Sequence, residues 1–141
     1  MAAAVAWEAL AVGLEPEPFV DEPLTRTDIV RYQGVSGDLN PIHHDDDFAR
    51  AAGYPGAFAV GMLAAGILGA HTTAWLGAAN VRRFKVRFRA QAWPGDVLTY
   101  RARVAARREE AGERLVDLEL SVTRPSGEVH VEGWATFVVP S

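Results

Sequence analysis

The order of apolar and polar residues divides the chain into two textures. Residues 81–91, 97–107, 114–124 and 128–139 alternate and are rich in Val, Phe, Leu and Arg. They are separated by Trp93-Pro94-Gly95-Asp96, Ala111-Gly112-Glu113 and Pro125-Ser126-Gly127. Successive side chains of a strand point to opposite faces, so this pattern predicts four long strands joined by short turns in an antiparallel sheet. Within 81–90, the pattern assigns Arg82, Phe84, Val86, Phe88 and Ala90 to one face and Arg83, Lys85, Arg87 and Arg89 to the other. The run from Val60 to Leu76 is different, being apolar on nearly every helical face. A helix that is apolar all round is a buried one, here ~25 Å long at the helical rise per residue. It is short for a membrane span, carries His71 and two threonines, and leads into strands that need water on one side.

Upstream the signals are local. Pro16, Pro18 and Pro23 keep residues 14–24 extended, with one short strand near Phe19-Val20. Thr25 followed three residues later by Asp28 reads as a capping box with Asp in place of Glu. It predicts a helix over Arg26–Val35 with Ile29 and Val30 turned inward, its end loosened by Gly34 and Gly37. Residues 36–44 form a loop, because Pro41 pushes Asn40 out of helical geometry. Asp45, Asp46 and Asp47 then suit the N-terminus of a short helix that runs to about Ala52. A long buried helix has to be wrapped, and a strongly bent antiparallel sheet can wrap it. The fold class is therefore α+β, a long central helix wrapped by a curved antiparallel sheet, in one domain over 1–141. Such a layer leaves helix surface and a sheet edge uncovered, so at least a dimer is expected.

Composition narrows the function. At 141 residues, 49% apolar and 23% charged, the chain suits one globular domain. With no cysteine, disulfides, thiolate nucleophiles and Cys-based zinc sites are excluded. A net charge of −4 gives no overall attraction to polyanions, so nucleic acid is not an expected partner. Met1 to Glu8 lacks the basic region of a signal peptide, which makes the cytoplasm the default location.

The polar loop Ser36-Gly37-Asp38-Leu39-Asn40-Pro41-Ile42-His43-His44 lies ahead of the apolar helix. Asp38 and His43 would diverge on a helix, but the Asn40-Pro41 kink lets them converge. A carboxylate and an imidazole are common equipment for moving protons near neutral pH. Read singly, Asp38 is an Asx turn and His43 an exposed loop residue; the combined string, and Gly61 beyond it, favour chemistry. Gly61 falls at the first turn of the central helix, where backbone N–H groups lack partners and can hold a carbonyl oxygen as it gains charge. Asp45–Asp47 with His43 and His44 is a weaker metal candidate, better explained as first-turn charge, so no metal is expected. His71 reads as a satisfied core histidine, and His130 as a surface or interface residue. The row Arg83, Lys85, Arg87, Arg89 is a solvated face or an attractor for an anionic carrier, with Arg87 and Arg89 as the phosphate-binding candidates.

The segment Leu24 to His43, with Ser-Gly-Asp-x-Asn-Pro-x-His at 36–43 and Gly-Met-Leu at 61–63, resembles the hydratase motif of the MaoC-like family. That family includes (R)-specific enoyl-CoA hydratases. The run is also similar to the catalytic subunit of actinobacterial (3R)-hydroxyacyl-carrier-protein dehydratases. The similarity covers residues 7–139 and implies a hot-dog fold. It implies reversible hydration of trans-2-enoyl thioesters, with Asp38 and His43 as a dyad around the water. By the same resemblance Gly61 is the donor to the thioester carbonyl, and Ser36 and Asn40 brace the loop. No resident cofactor is implied; coenzyme A or phosphopantetheine arrives on the substrate. The partners implied are the acyl thioester, an acyl carrier protein, and a second hot-dog subunit in a homodimer or heterodimer. Two positions depart from the pattern: Val60, where many relatives carry His, and Gly66, where some carry Ser. Both leave acyl-chain length open. A hot-dog thioesterase is the main competitor, but such enzymes usually place a carboxylate in the central helix, and residues 60–76 have none. A non-catalytic partner subunit would lack the dyad.

Overall fold

The computed structural model describes residues 5–140, so the N-terminal stretch Met1–Ala4 read above lies outside the described residues. The order of elements is β1 (Phe19–Val20), α1 (Arg26–Ser36), α2 (Asp46–Ala51), α3 (Gly61–Leu76), β2 (Val81–Phe88), β3 (Thr99–Glu110), β4 (Glu113–Thr123) and β5 (Val129–Val138). A single antiparallel sheet runs β1-β3-β4-β5-β2. The β3–β4 hairpin turns on Ala111 and Gly112, both at positive φ (51° and 80°), the conformation that matches the twist of the flanking strands.

α3 packs against β2, β3, β4 and β5. Four strands about 4.8 Å apart are wider than one helix, so contact with all four requires the sheet to curl around α3. The core lies between them: Ala64, Ala65, Leu68, Thr72 and Leu76 of α3 are buried against inward residues such as Val104, Leu118, Val131 and Phe137. The helix is not covered all round. Met62, Gly66, Ala70 and Ala74, one residue per turn, stay exposed. The sheet ends on the two-residue β1 at one side and on the longer β2 at the other, where Phe84 and Phe88 are also exposed. Among the described residues no helix is long and apolar enough to cross a membrane.

Several side chains depart from the simple pattern. In α1, Ile29 is buried but Val30 is 49% exposed; the inner face is instead Ile29 and Gln33, four residues apart on one side of the helix. In β2 the register with β5 skips between Val81 and Arg83. This irregularity takes Arg82 off the Phe84 face, and Arg82 is exposed and paired with Glu113 at 2.8 Å. His71 is half-buried and stacked on Phe19 (6.1 Å between ring centroids), not a core residue. His130, expected at the surface or an interface, is 2% exposed and buried within the chain itself.

Candidate active site

The loop after α1 is held by a dense set of short-range bonds. Thr25 and Asp28 cap the helix reciprocally, and Gly37, in the left-handed region at φ 78°, ends it and turns the chain outward. The Thr25 hydroxyl and N–H hold the Asp28 carboxyl below its usual range. Ser36 Oγ accepts from the Asp38 N–H (3.2 Å), and Asp38 Oδ1 accepts from the Asn40 N–H (3.3 Å). Asn40 Oδ1 accepts from the Ile42 N–H (3.1 Å) and caps the 3-10 turn Pro41–His43. Both bracing residues thus act on the loop backbone.

Gln33 is a member of this cluster that sequence reasoning missed. Its side chain is buried beneath the loop, and its Nε2 donates to the Asp38 carbonyl (2.8 Å) and the Asn40 carbonyl (3.1 Å). Its Oε1 lies 2.9 Å from His44 Nδ1. One amide therefore holds the backbone on both sides of Leu39 and the residue after His43. The available signal was a polar side chain four positions after Ile29 on the inward face.

His43 is 9% exposed, and its Nδ1 lies 2.8 Å from the Phe58 carbonyl oxygen. A carbonyl only accepts, so Nδ1 donates, and in the neutral ring Nε2 is left as a bare acceptor. The Phe58 ring meets the imidazole edge-on (5.2 Å, 85°) and packs in turn on Tyr54 and Trp93. His43 Nε2 faces Asp38 Oδ2 at 3.8 Å, across a gap too long for a direct hydrogen bond. The Asp38 side chain is 46% exposed, so the pair joins a wet carboxylate to a buried imidazole. The kinked loop brings the two side chains to one cleft of about 330 Å³, whose wall also includes Gly61, Phe88, Arg89 and His130.

Gly61 is the first residue of α3. Val60 before it gives no side-chain cap; the Leu63 N–H turns back to the Val60 carbonyl (3.0 Å), while Gly61 and Met62 line the cleft at the first turn, where N–H groups lack intrahelical partners. The Phe88 ring lies directly over Gly61: a Cβ there would sit 2.7 Å from Phe88 Cδ1. Of the two arginines proposed for a carrier, Arg89 lines the cleft and lies 3.9 Å from Glu132. Arg87 faces outward opposite Glu132 on β5 and does not line it.

The acidic triplet acts on structure. Asp45 Oδ1 accepts from the Asp47 and Phe48 N–H groups at the start of α2. Asp46 accepts from the Ala57 N–H and pairs with Arg26; these contacts, Ala57 first, hold its carboxyl below the usual range. Among the described residues no group of three or more His, Asp or Glu side chains is arranged to hold a metal ion.

Fold and site together define an α+β hot-dog protein with a carboxylate–imidazole pair at a helix N-terminus. Residues 9–124 match the MaoC-like domain, and the chain belongs to that family. It is 31% identical over 121 residues to the (R)-specific enoyl-CoA hydratase of Rhodospirillum rubrum, an alignment covering 84% of this chain and 81% of that one. It is 36% identical over 88 residues to 3-hydroxyacyl-thioester dehydratase Y of Mycobacterium tuberculosis, covering 60% of this chain but only 30% of that longer protein. Among solved structures, the (R)-hydratase from A. caviae involved in PHA biosynthesis superposes with a TM-score of 0.82 at 23% identity, covering 94% of this chain and 99% of that one. The ChsH1–ChsH2 complex from M. tuberculosis gives 0.79 at 21% identity, covering 92% and 98%. That neighbour of the same fold is a complex of two different proteins.

Proposed function

We propose that this chain catalyses the reversible addition of water to trans-2-enoyl thioesters, giving (3R)-3-hydroxyacyl thioesters, with Asp38 and His43 as its acid/base pair. The observation that carries the reading is the 3.8 Å separation of two facing acceptors, His43 Nε2 and Asp38 Oδ2. Two acceptors at that spacing suit one bridging water that donates a hydrogen to each and keeps its lone pairs free. The water oxygen attacks C3 as one member of the pair takes its proton. The C2=C3 electrons move toward the thioester, whose oxygen gains charge against the Gly61 N–H. A proton delivered from the pair to C2 completes the addition, and the reverse sequence is the dehydration. On this reading no resident cofactor takes part, and the pantetheine arm belongs to the substrate. The R. rubrum relative, an (R)-specific hydratase aligned over most of both chains, supports the stereochemistry.

The assay is hydration of crotonyl-CoA by the purified full chain, read as loss of enoyl absorbance with a thiol reagent present. Absorbance loss without free thiol supports hydration; thiol release with the enoyl group intact would identify a thioesterase.

Two variants probe the substrate's path. Gly61→Ala drives a methyl into the Phe88 ring. Phe88 is half exposed in the single chain, so the ring gives way and the fold survives, but the ring is displaced at the cleft mouth; kcat/KM is expected to fall about tenfold. Arg89→Glu reverses a charge on the cleft wall, and KM for a CoA or carrier-protein thioester is expected to rise about fivefold with kcat little changed. An unchanged KM for both carriers would remove Arg89 from carrier binding.

The same reading includes a second hot-dog subunit. The exposed phenylalanines on the β2 edge and the apolar Met62–Gly66–Ala70–Ala74 stripe are surfaces that a partner would cover. A solution mass of twice 15.3 kDa supports a homodimer. A 15.3 kDa species that hydrates only after a related hot-dog chain is added supports a heterodimer.

A further inference from the structure

β5 does not alternate cleanly at its start. Val122 of β4 faces Val131 and Thr123 faces Val129, which makes His130 an extra residue in the ladder. Such a bulge re-aims a side chain, and His130 and Val131 are both buried as a result. His130 Nδ1 lies 2.6 Å from the Ala90 carbonyl oxygen, so Nδ1 carries the proton and Nε2 is an acceptor. Burial above all holds the ring's pKa below the ordinary histidine value and favours this neutral form. Nε2 is buried and has no hydrogen-bond partner.

With Ala59, His130 forms a wall common to the dyad cleft and a smaller cavity of about 20 Å³ behind it. That space suits roughly one water molecule or methyl group. Leu63, Ala64, Ile67 and Leu98 line it, together with Asp21, Glu22 and Tyr100, and none of them hydrogen-bonds to Nε2. A buried acceptor is almost always satisfied in a folded protein, so one left bare at the wall of a ligand cleft calls for a donor from the ligand side.

We propose that His130 is a specificity-determining residue: it closes the acyl slot with a hydrogen-bond acceptor, so that short tails, and tails ending in a hydroxyl, are favoured over longer apolar ones. The inference rests on the hydratase reading above, in which C2 and C3 react beside Asp38, His43 and Gly61. The tail beyond C3 then continues along the same cleft toward His130 and Ala59. An apolar tail that reaches this wall offers Nε2 no donor and leaves the buried acceptor unpaired, whereas a hydroxyl supplies the missing bond. A site built to hydrogen-bond rejects an analogue lacking the donor far more strongly than an apolar pocket rejects one extra methylene.

The test compares the full chain with His130→Leu on crotonyl-, trans-2-hexenoyl- and trans-2-octenoyl-CoA, and on a six-carbon enoyl-CoA ending in a hydroxyl. The ratio of kcat/KM for octenoyl-CoA to that for crotonyl-CoA is expected to rise about tenfold in His130→Leu. The wild-type preference for the hydroxyl-ended tail over hexenoyl is expected to vanish. His130→Asn, which keeps a donor for Ala90 and an acceptor beside it, should retain the wild-type order. Equal ratios in wild type and His130→Leu would overturn the proposal. If His130→Leu does not fold, a wild type that ignores the hydroxyl overturns it as well. Binding of the corresponding saturated thioesters, measured by calorimetry, reads the same preference without turnover. A tail preference without hydration therefore sinks only the hydratase reading.

Discussion

Asp38→Asn is expected to lower kcat for enoyl-thioester hydration by about 10²–10⁴-fold while leaving the fold in place. The substitution is clean. Asp38 touches the loop through Oδ1, which accepts the Asn40 N–H, and an asparagine oxygen accepts the same bond. Its side chain is half exposed, so loss of charge removes no buried partner. What disappears is the acceptor Oδ2 that faces His43, and with it one of the two anchors for the water. His43→Ala is expected to cost as much in kcat, with an added loss of stability. It takes away the donor to the Phe58 carbonyl and the ring against which Phe58 packs. Steady-state rates beside thermal melts separate the two effects. Near-wild-type turnover in a folded Asp38→Asn protein would remove the dyad from the mechanism.

Gln33→Leu is expected to be the most damaging change outside the dyad. Leucine fills a similar space but donates nothing, so the Asp38 and Asn40 carbonyls and His44 Nδ1 all lose a partner. The three bonds are part-buried and their partners belong to exposed residues, so each lost bond costs about 1 kcal/mol, and the melting temperature should fall accordingly. The loop carrying Asp38 also loses its tether, and displacement of a reacting group by about 1 Å can cost 10²-fold in rate. A fall in kcat of about 10–100-fold, larger than the change in KM, is the expected signature. A variant that is less stable yet fully active at low temperature would show that Gln33 supports the fold without positioning the loop.

Long-period features of the fold were legible in the sequence. The alternation of 81–91, 97–107, 114–124 and 128–139 marks β2 to β5, and the capping pair Thr25–Asp28 marks the start of α1. The loop that carries Asp38 and His43 could be read because proline and glycine punctuate it. What escaped was the position of single side chains where regular period breaks. Irregularities at Arg82 and His130 cost no unusual residue, so the sequence pattern showed neither the break that displaces Arg82 nor the one that buries His130. Val30 and Gln33 differ by the rotation of a short helix. A hydrophobic pattern assigns Val30 to the core, whereas the structure buries Gln33 to satisfy loop carbonyls. The acceptors that orient the two buried histidines are the backbone oxygens of Phe58 and Ala90, and a carbonyl has no side-chain signature.

The apolar stripe on α3 and the open β2 edge bear on stability as well as on assembly. A helix with this composition is stable in water only where its faces are covered. Dilution should therefore lower the melting temperature if a second copy provides that cover.

The most direct measurement follows the oxygen atom. The full chain is incubated with crotonyl-CoA in heavy-oxygen water, and the product is analysed by mass spectrometry. One heavy oxygen on C3, with the thioester intact and the hydroxyl in the R configuration, is the predicted result. Heavy oxygen in a released carboxylate, or no label at C3 in the presence of every candidate partner subunit, would contradict hydration by the Asp38–His43 pair.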